Sequence, residues 1–245
     1  MQRRYLLIDI SNSFTKFAFA TPERIGRTSR VPTRELTASK LRKLLERAVN
    51  GVVVSSVVPK KNAAVRSATR GHQVLFISAS TELGIGIDYP QPQTIGADRL
   101  ANAVAVAELY GCPAIVVDFG TAVTFDVVSG SRSYIGGVIA PGLESMTAFL
   151  YQRTALLPKL TLREPTRAIG KSTRAAMLAG AVHGYRGLVA EILRKICEEN
   201  LRARPKIVAT GGYADLIARQ LPQIDAVDPE LTLHGLRLIA ERNFA

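Results

Sequence analysis

The run Val116-Val117-Asp118-Phe119-Gly120-Thr121-Ala122-Val123-Thr124-Phe125-Asp126 sets a carboxylate, a glycine and a hydroxyl residue at the end of an apolar stretch. Ala114 to Val117 reads as a buried strand. Val123, Phe125 and Val127 alternate with Thr124 and Asp126, which reads as a second strand returning along the first. A turn of this kind bares backbone N–H groups through Gly120, offers the Thr121 hydroxyl and places Asp118 to hold a cation. That combination suits a polyphosphate with its metal. An ordinary hairpin with Asp118 and Thr121 as turn formers fits the same residues. A similar stretch opens the chain: Tyr5 to Ile8 as a strand, Asp9-Ile10-Ser11-Asn12-Ser13 as a polar turn, and Phe14-Thr15-Lys16 entering an alternating strand that runs to Ala20. Two strand–acid–turn–strand units imply a duplicated design whose acidic turns close on one nucleotide.

Further groups with chemistry lie between and after these turns. The segment Leu83 to Pro92 is rich in glycine and proline, carries Tyr89, and leads into Gly96-Ala97-Asp98-Arg99. Asp98 stands where a helix cap or first-turn acid belongs, and Arg99 beside it brings a cation to a helix start where anions bind. Gly136-Gly137 and Pro141-Gly142 flank a strand, and Thr210-Gly211-Gly212 separates a strand from a helix. Such glycines suit either plain turns or a close phosphate approach. Gly170-Lys171-Ser172-Thr173 superficially matches the end of a P-loop, but position 165 is Pro165 and no strand precedes it. The segment reads instead as the start of a long helix, Thr173 to Leu201, with Gly180, Gly184 and Gly187 placed for close packing.

The elements that must position these groups alternate. Leucines 36, 41, 44 and 45 predict an amphipathic helix within Thr33 to Val49, followed by a strand at Val52 to Val54. A helix at Asn62 to Arg70, a strand at Gln73 to Ile77 and an alanine-rich helix at Leu100 to Tyr110 complete a first half. Gly111 to Pro113 is the expected boundary, dividing the chain into residues 1–111 and 112–245. The second half adds a strand at Tyr134 to Ile139, a helix at Leu143 to Leu156, a strand at Lys206 to Ala209 and a last amphipathic helix at Leu231 to Arg242.

Composition narrows the class. A hydrophobic fraction of 47% and a charged fraction of 21% belong to a globular chain rather than a disordered one. The longest apolar run, Ala101 to Val117, is interrupted by Glu108, and the N-terminal run is cut at Asp9, so neither a membrane span nor a signal peptide is expected. Cys112 and Cys197 have no paired spacing, and the three histidines are scattered, which leaves no disulfide framework or zinc site and points to the cytoplasm. The net charge of +12 is dispersed, and Arg3-Arg4, Lys60-Lys61 and Arg202 with Arg204 lack interleaved aromatics. A generally basic surface is favoured over a nucleic-acid site.

Taken in order, Asp9 to Lys16, Gly96 to Arg99, Asp118 to Thr124, Gly136 to Gly142, Gly170 to Thr173, Thr210 to Gly212 and Asp228 to Leu236 resemble the type III pantothenate kinases over essentially the whole chain. The resemblance implies an α/β protein of two similar ribonuclease-H-like (actin-like) domains facing across a nucleotide cleft, and a homodimer. It implies ATP-dependent phosphorylation of pantothenate, with magnesium and a monovalent cation, potassium or ammonium. By position, Asp9, Ile10, Ser11, Asn12, Ser13, Phe14, Thr15 and Lys16 match the first phosphate turn, and Thr121 matches an ATP contact. Asp98 matches the proton acceptor. Gly96, Ala97, Asp98 and Arg99 match the substrate motif, with Tyr89 and Thr173 as further substrate contacts and Asp118 as the monovalent-cation ligand. The family's first turn reads Asp-x-Gly-Asn-Thr, whereas here Ser11 replaces the glycine and Ser13 the threonine. Ser11 adds a Cβ where φ > 0 or close phosphate approach is expected, which bears on ATP affinity. The competing readings are a non-catalytic regulatory relative, such as a transcription accessory factor, and a sugar or acetate kinase of the wider actin-like group.

Overall fold

The computed structural model describes residues 3–200 and 203–244. Leu201 and Arg202, the expected end of the long helix and a member of the third basic run, lie outside the described residues. The chain forms two compact units, one of residues 1–110, 131–135 and 230–245, the other of 111–130 and 136–229. The expected division at 111/112 differs from these units chiefly in the C-terminal helix, whose apolar side chains pack in the first unit.

In chain order the first unit holds β1 (Tyr5–Ile10), β2 (Phe14–Ala20), β3 (Ser29–Pro32), α1 (Ala38–Leu45), β4 (Gly51–Ser56), α2 (Pro59–Ala68), β5 (Val74–Phe76), β6 (Gly86–Ile87) and α3 (Ala97–Leu109). The second unit carries β7 (Ala114–Phe119), β8 (Ala122–Val128), most of β9 (Ser133–Pro141), α4 (Leu143–Arg153), α5 (Thr173–Asn200), β10 (Lys206–Thr210), α6 (Ala214–Ala218) and β11 (Ala226–Val227). The closing helix α7 (Leu231–Asn243) returns to the first unit.

The first sheet runs β3-β2-β1-β4-β5, with β1–β2 and β2–β3 antiparallel and β1–β4 and β4–β5 parallel. Period-two alternation on β1 and β4 gives the sheet two buried faces. Leu6, Ile8 and Ile10 pack with Val52 and Val54 against Leu41 of α1 and Val65 and Ala68 of α2. The other face carries Tyr5, Leu7 and Asp9 in register with Gly51, Val53 and Ser55. Phe244, directly after α7, stacks on Tyr5 at a ring separation of 6.1 Å. The second sheet runs β11-β10-β7-β8-β9-β6. Strands β7 to β11 occupy the places of β1 to β5, and β7–β8 antiparallel with β7–β10 and β10–β11 parallel repeat the senses of the first sheet. The duplication expected from the two acidic turns is thus a duplication of sheet topology.

Several elements differ from expectation for local reasons. The predicted helix at Thr33 begins as a short 3₁₀ turn, and the α-helix starts after Thr37, whose Oγ1 accepts from Lys40 N at 3.3 Å. Strand β3 escapes the alternation rule because Ser29-Arg30-Val31-Pro32 is an edge strand carrying a proline. In α5 a Cβ at Gly180, Gly184 or Gly187 would meet nothing within 4 Å, so these glycines do not mediate close packing within the chain. Close packing occurs instead where α7 crosses α3. A Cβ on Gly235 would stand 2.0 Å from the Ala101 carbonyl oxygen, and beside it Thr232 Oγ1 donates to Asn102 Oδ1 at 2.8 Å. The obstacle is backbone, so no rotamer relieves it and the helices must part. Gly235→Ala should therefore cost about 3 kcal/mol or more and lower Tm by about 6–12 °C in a thermal melt. A change under about 2 °C would contradict the crossing geometry.

Candidate functional site

In the first unit, Asp9 is the penultimate residue of β1, with 4% of its surface exposed, flanked by Lys16 on β2 and Ser55 on β4. The turn after it is tied internally. Ser11 N donates to Phe14 O at 3.2 Å, and Ser11 Oγ to Asp9 Oδ2 at 3.4 Å. Thr33 Oγ1 donates to Ser11 O at 2.7 Å and stands 3.0 Å from Thr15 Oγ1. Among the described non-glycine residues, Arg132 is the one with positive φ, so Ser11 is accommodated without left-handed backbone. Of the two demands foreseen at this position, the positive φ does not arise.

Asp98 lies at the second position of α3, after Gly96 as cap residue, and that cap makes no side-chain hydrogen bond. Its Oδ1 accepts from Arg99 N at 2.8 Å. Burial pushes the Asp98 carboxyl above its ordinary value, against the opposing pull of the Arg99 N–H and guanidinium. Gly96 leads into α3 beside Val57, whose N–H donates to Ile10 O at 3.1 Å. Asp98 thus stands at the carboxyl-terminal edge of β1 and β4, the edge that carries Asp9 and its turn.

Beside it lies an aromatic group that motif reading left incomplete. The Arg99 guanidinium sits 5.7 Å from the centre of the Tyr134 ring, within cation–π range. Tyr89 meets the same ring edge-on at 6.0 Å. Tyr134 is fully buried, and Asp88 N donates to its carbonyl at 2.9 Å. The structure therefore brings Tyr89, Gly96, Ala97, Asp98 and Arg99 into one neighbourhood and adds Tyr134. The only sequence sign of Tyr134 was an aromatic opening a strand next to Gly136-Gly137.

In the second unit, Asp118 is half-buried at the end of β7, with Thr124 of β8 and Thr210 of β10 in register. Asp126, fully buried, shares that face and accepts from Thr124 Oγ1 at 3.4 Å. The turn differs from expectation in one respect. The Gly120 N–H is not bared but donates to Ala122 O at 3.0 Å. Thr121 keeps its side chain outward, while its carbonyl accepts from Gly142 N at 3.0 Å and Ser145 Oγ at 2.8 Å. Gly211, at φ +94°, brings its Cα against Asp118; a Cβ there would be 2.5 Å from Asp118 Oδ1. Carboxylate and hydroxyl oxygens are hard donors suited to potassium or magnesium rather than to a soft metal, and the Gly211 cradle presses backbone against that set. Thr173 opens α5 as an exposed first-turn residue, after Ser172, whose Oγ accepts from Ala175 N at 3.2 Å. Arg186 of α5 grips Glu164 with its two terminal guanidinium nitrogens at 2.9 and 2.6 Å and donates to the Leu216 carbonyl at 2.6 Å, anchoring the loop before Thr173. Among the described residues, no group of three His, Cys, Asp or Glu side chains is placed to hold a metal.

The family model for type III pantothenate kinase matches residues 5–195. The chain belongs to the type III pantothenate kinases. A type III pantothenate kinase of Akkermansia muciniphila is 52% identical over 246 residues, covering 98% of this chain and 99% of the relative. One of Methylacidiphilum infernorum is 43% identical over 238 residues, covering 96% and 88%. A solved structure of a putative 2-dehydro-3-deoxygalactonokinase from Sinorhizobium meliloti superimposes with a TM-score of 0.64 at 11% identity, covering 98% of this chain and 96% of that one. At that identity the likeness is one of fold. That fold agrees with the duplicated α/β sheets, and the two units are ribonuclease-H-like. Among the described residues, no helix of this type III pantothenate kinase is long and apolar enough to cross a membrane.

Proposed function

We propose that this chain transfers the γ-phosphoryl group of ATP to the primary hydroxyl of pantothenate, the first step towards coenzyme A. The observation that carries the reading is Asp98, a carboxyl raised by burial at the start of α3 with Arg99 beside it, in a chain matched end to end by pantothenate kinases. Asp98 accepts the hydroxyl proton as the substrate oxygen bonds to the γ-phosphorus. The bond from that phosphorus to the β–γ bridging oxygen breaks, and ADP leaves with its electron pair. Arg99, steadied over Tyr134, pairs with the pantothenate carboxylate, while Tyr89 and Thr173 give further contacts to the substrate. Asp9 to Lys16 and Thr121 handle the ATP phosphates. A magnesium ion at the Asp9 turn and a monovalent cation, potassium or ammonium, at Asp118 would offset the charge on the phosphate oxygens. The set of oxygen donors around Asp118 supports the second assignment.

The same reading places the protein in the cytoplasm as a homodimer. Its support for the dimer is the exposed apolar set on α4, Met146, Phe149, Leu150 and Tyr151. The deciding assay supplies pantothenate, ATP and magnesium across a potassium series. Phosphorylated pantothenate should form, and its rate should fall when sodium replaces potassium. No product at millimolar ATP, with tight binding of duplex DNA instead, would favour the regulatory relative. Indifference to the sodium exchange would remove the cation role of Asp118.

A further inference from the structure

In both sheets the strand beside the acid-bearing strand carries a hydroxyl in register with the acid. Ser55 on β4 pairs with Asp9 on β1, and Thr210 on β10 pairs with Asp118 on β7. In-register residues of a parallel pair project to the same side, so each hydroxyl lies on its aspartate's face of the sheet. Ser55 is 0% and Thr210 1% exposed, and neither Oγ has a hydrogen-bond partner. A buried hydroxyl left without a partner is unfavourable, and such groups are rare. Of the other orphaned hydroxyls among the described residues, those of Tyr5 and Thr21, neither recurs at an equivalent place in the second sheet. Packing does not ask for a hydroxyl at either position. The residues two before them on the same faces, Val53 and Val208, are fully buried hydrocarbon. What the two positions share is a place next to the acid at the carboxyl ends of parallel strands, where α/β sheets bind ligands.

We propose that Ser55 and Thr210 are a matched pair of positioning residues, Ser55 donating to the Asp9 carboxylate and Thr210 to that of Asp118 when a cation with its phosphate engages the acid. Each hydroxyl fixes the carboxylate oxygen that the cation does not take. In the ligand-free chain the arrangement is held at a cost to stability, which the bound nucleotide and cation offset. The inference rests on the kinase reading above and deepens it, with magnesium-bound ATP as the ligand at Asp9 and potassium at Asp118.

The test compares wild type with Ser55→Ala and Thr210→Val by thermal melting without ligand and by calorimetric titration with a non-hydrolysable ATP analogue, magnesium and fixed potassium. Without ligand each variant should melt about 2–4 °C higher than wild type, because an unpartnered buried hydroxyl has been removed. Each should also bind the analogue about tenfold more weakly, the usual scale for a lost hydrogen bond to a charged group. Thr210→Val should need more potassium for half-maximal binding, and Thr210→Ser should restore both affinity and potassium response. A purely structural hydroxyl would give the reverse pattern, lower melting with unchanged binding, and that pattern in both variants overturns the proposal. Binding of the analogue by wild type and by both variants equally would also overturn it while leaving the kinase reading in place. Failure of wild type itself to bind would remove both.

Discussion

Asp98→Asn is expected to lower pantothenate turnover by about 10²–10⁴-fold, the usual contribution of a positioned proton acceptor, with little change in folded structure. The amide keeps the shape and can still accept from Arg99 N through Oδ1, the hydrogen bond that Asp98 makes at 2.8 Å. What it loses is the capacity to take the hydroxyl proton. Burial raises the Asp98 carboxyl, and the sign of that shift fixes two further outcomes. For the wild-type rate, the ionised form is the active one, so the acidic limb should fall with an apparent pKa above the ordinary carboxylate value near 3.8. For stability, a carboxyl whose folded-state pKa exceeds its unfolded one binds its proton more tightly when folded. Its contribution is present at low pH and is lost as pH rises from the ordinary value through the raised one. At neutral pH wild type carries a buried charge that asparagine does not. The asparagine variant should therefore melt no lower than wild type at pH 7. Near-normal turnover in this variant would reduce Asp98 to a first-turn acid. Lost turnover with a collapsed melting temperature would assign the residue to the fold.

The acids were legible in the sequence because each closes an apolar strand, and a strand end is a position that hydrophobic alternation marks clearly. Asp9 and Asp118 fall at equivalent ends of duplicated sheets for that reason. The strands and helices with strong periodicity, β1, β2, β7, β8, α3 and α7, were visible in the same way. Elements carrying little apolar pattern were not. Strand β11 spans Ala226–Val227 and α6 only Ala214–Ala218, and each takes its form from the β10 edge on which it packs. Nor could the sequence reveal what depends on pairing between distant strands. Tyr134 joins Arg99 through the fold of the chain rather than through spacing, and Ser55 is placed against Asp9 by the β1–β4 register. The Ser11 substitution shows the opposite failure, in which a family pattern implied a backbone constraint that the turn, tied through Thr33, does not impose.

Gly211→Ala should be strongly damaging in the second unit, and Gly212→Ala next to it should be close to neutral. Gly211 adopts φ +94°, where an L side chain is strained by about 1–3 kcal/mol. The new Cβ would also lie 2.5 Å from Asp118 Oδ1 and 2.6 Å from Phe119 N, and the second of these is backbone that cannot step aside. The segment is further held by Tyr213 N donating to Phe119 O at 3.4 Å, so relief must come from moving the end of β7 or the Asp118 carboxylate. Either movement disturbs the face on which the monovalent cation is proposed to sit. The expected result is a Tm lowered by about 4–10 °C and a half-saturating potassium concentration raised about tenfold or more. Gly212 is absent from the positive-φ glycines, and a Cβ there would meet nothing within 4 Å. The paired comparison separates a role in shaping Asp118 from a general need for a flexible strand-to-helix turn. Equal losses from both alanines would point to turn flexibility, whereas a loss confined to position 211, visible in the potassium titration as well as the melt, ties that backbone to the acid it touches.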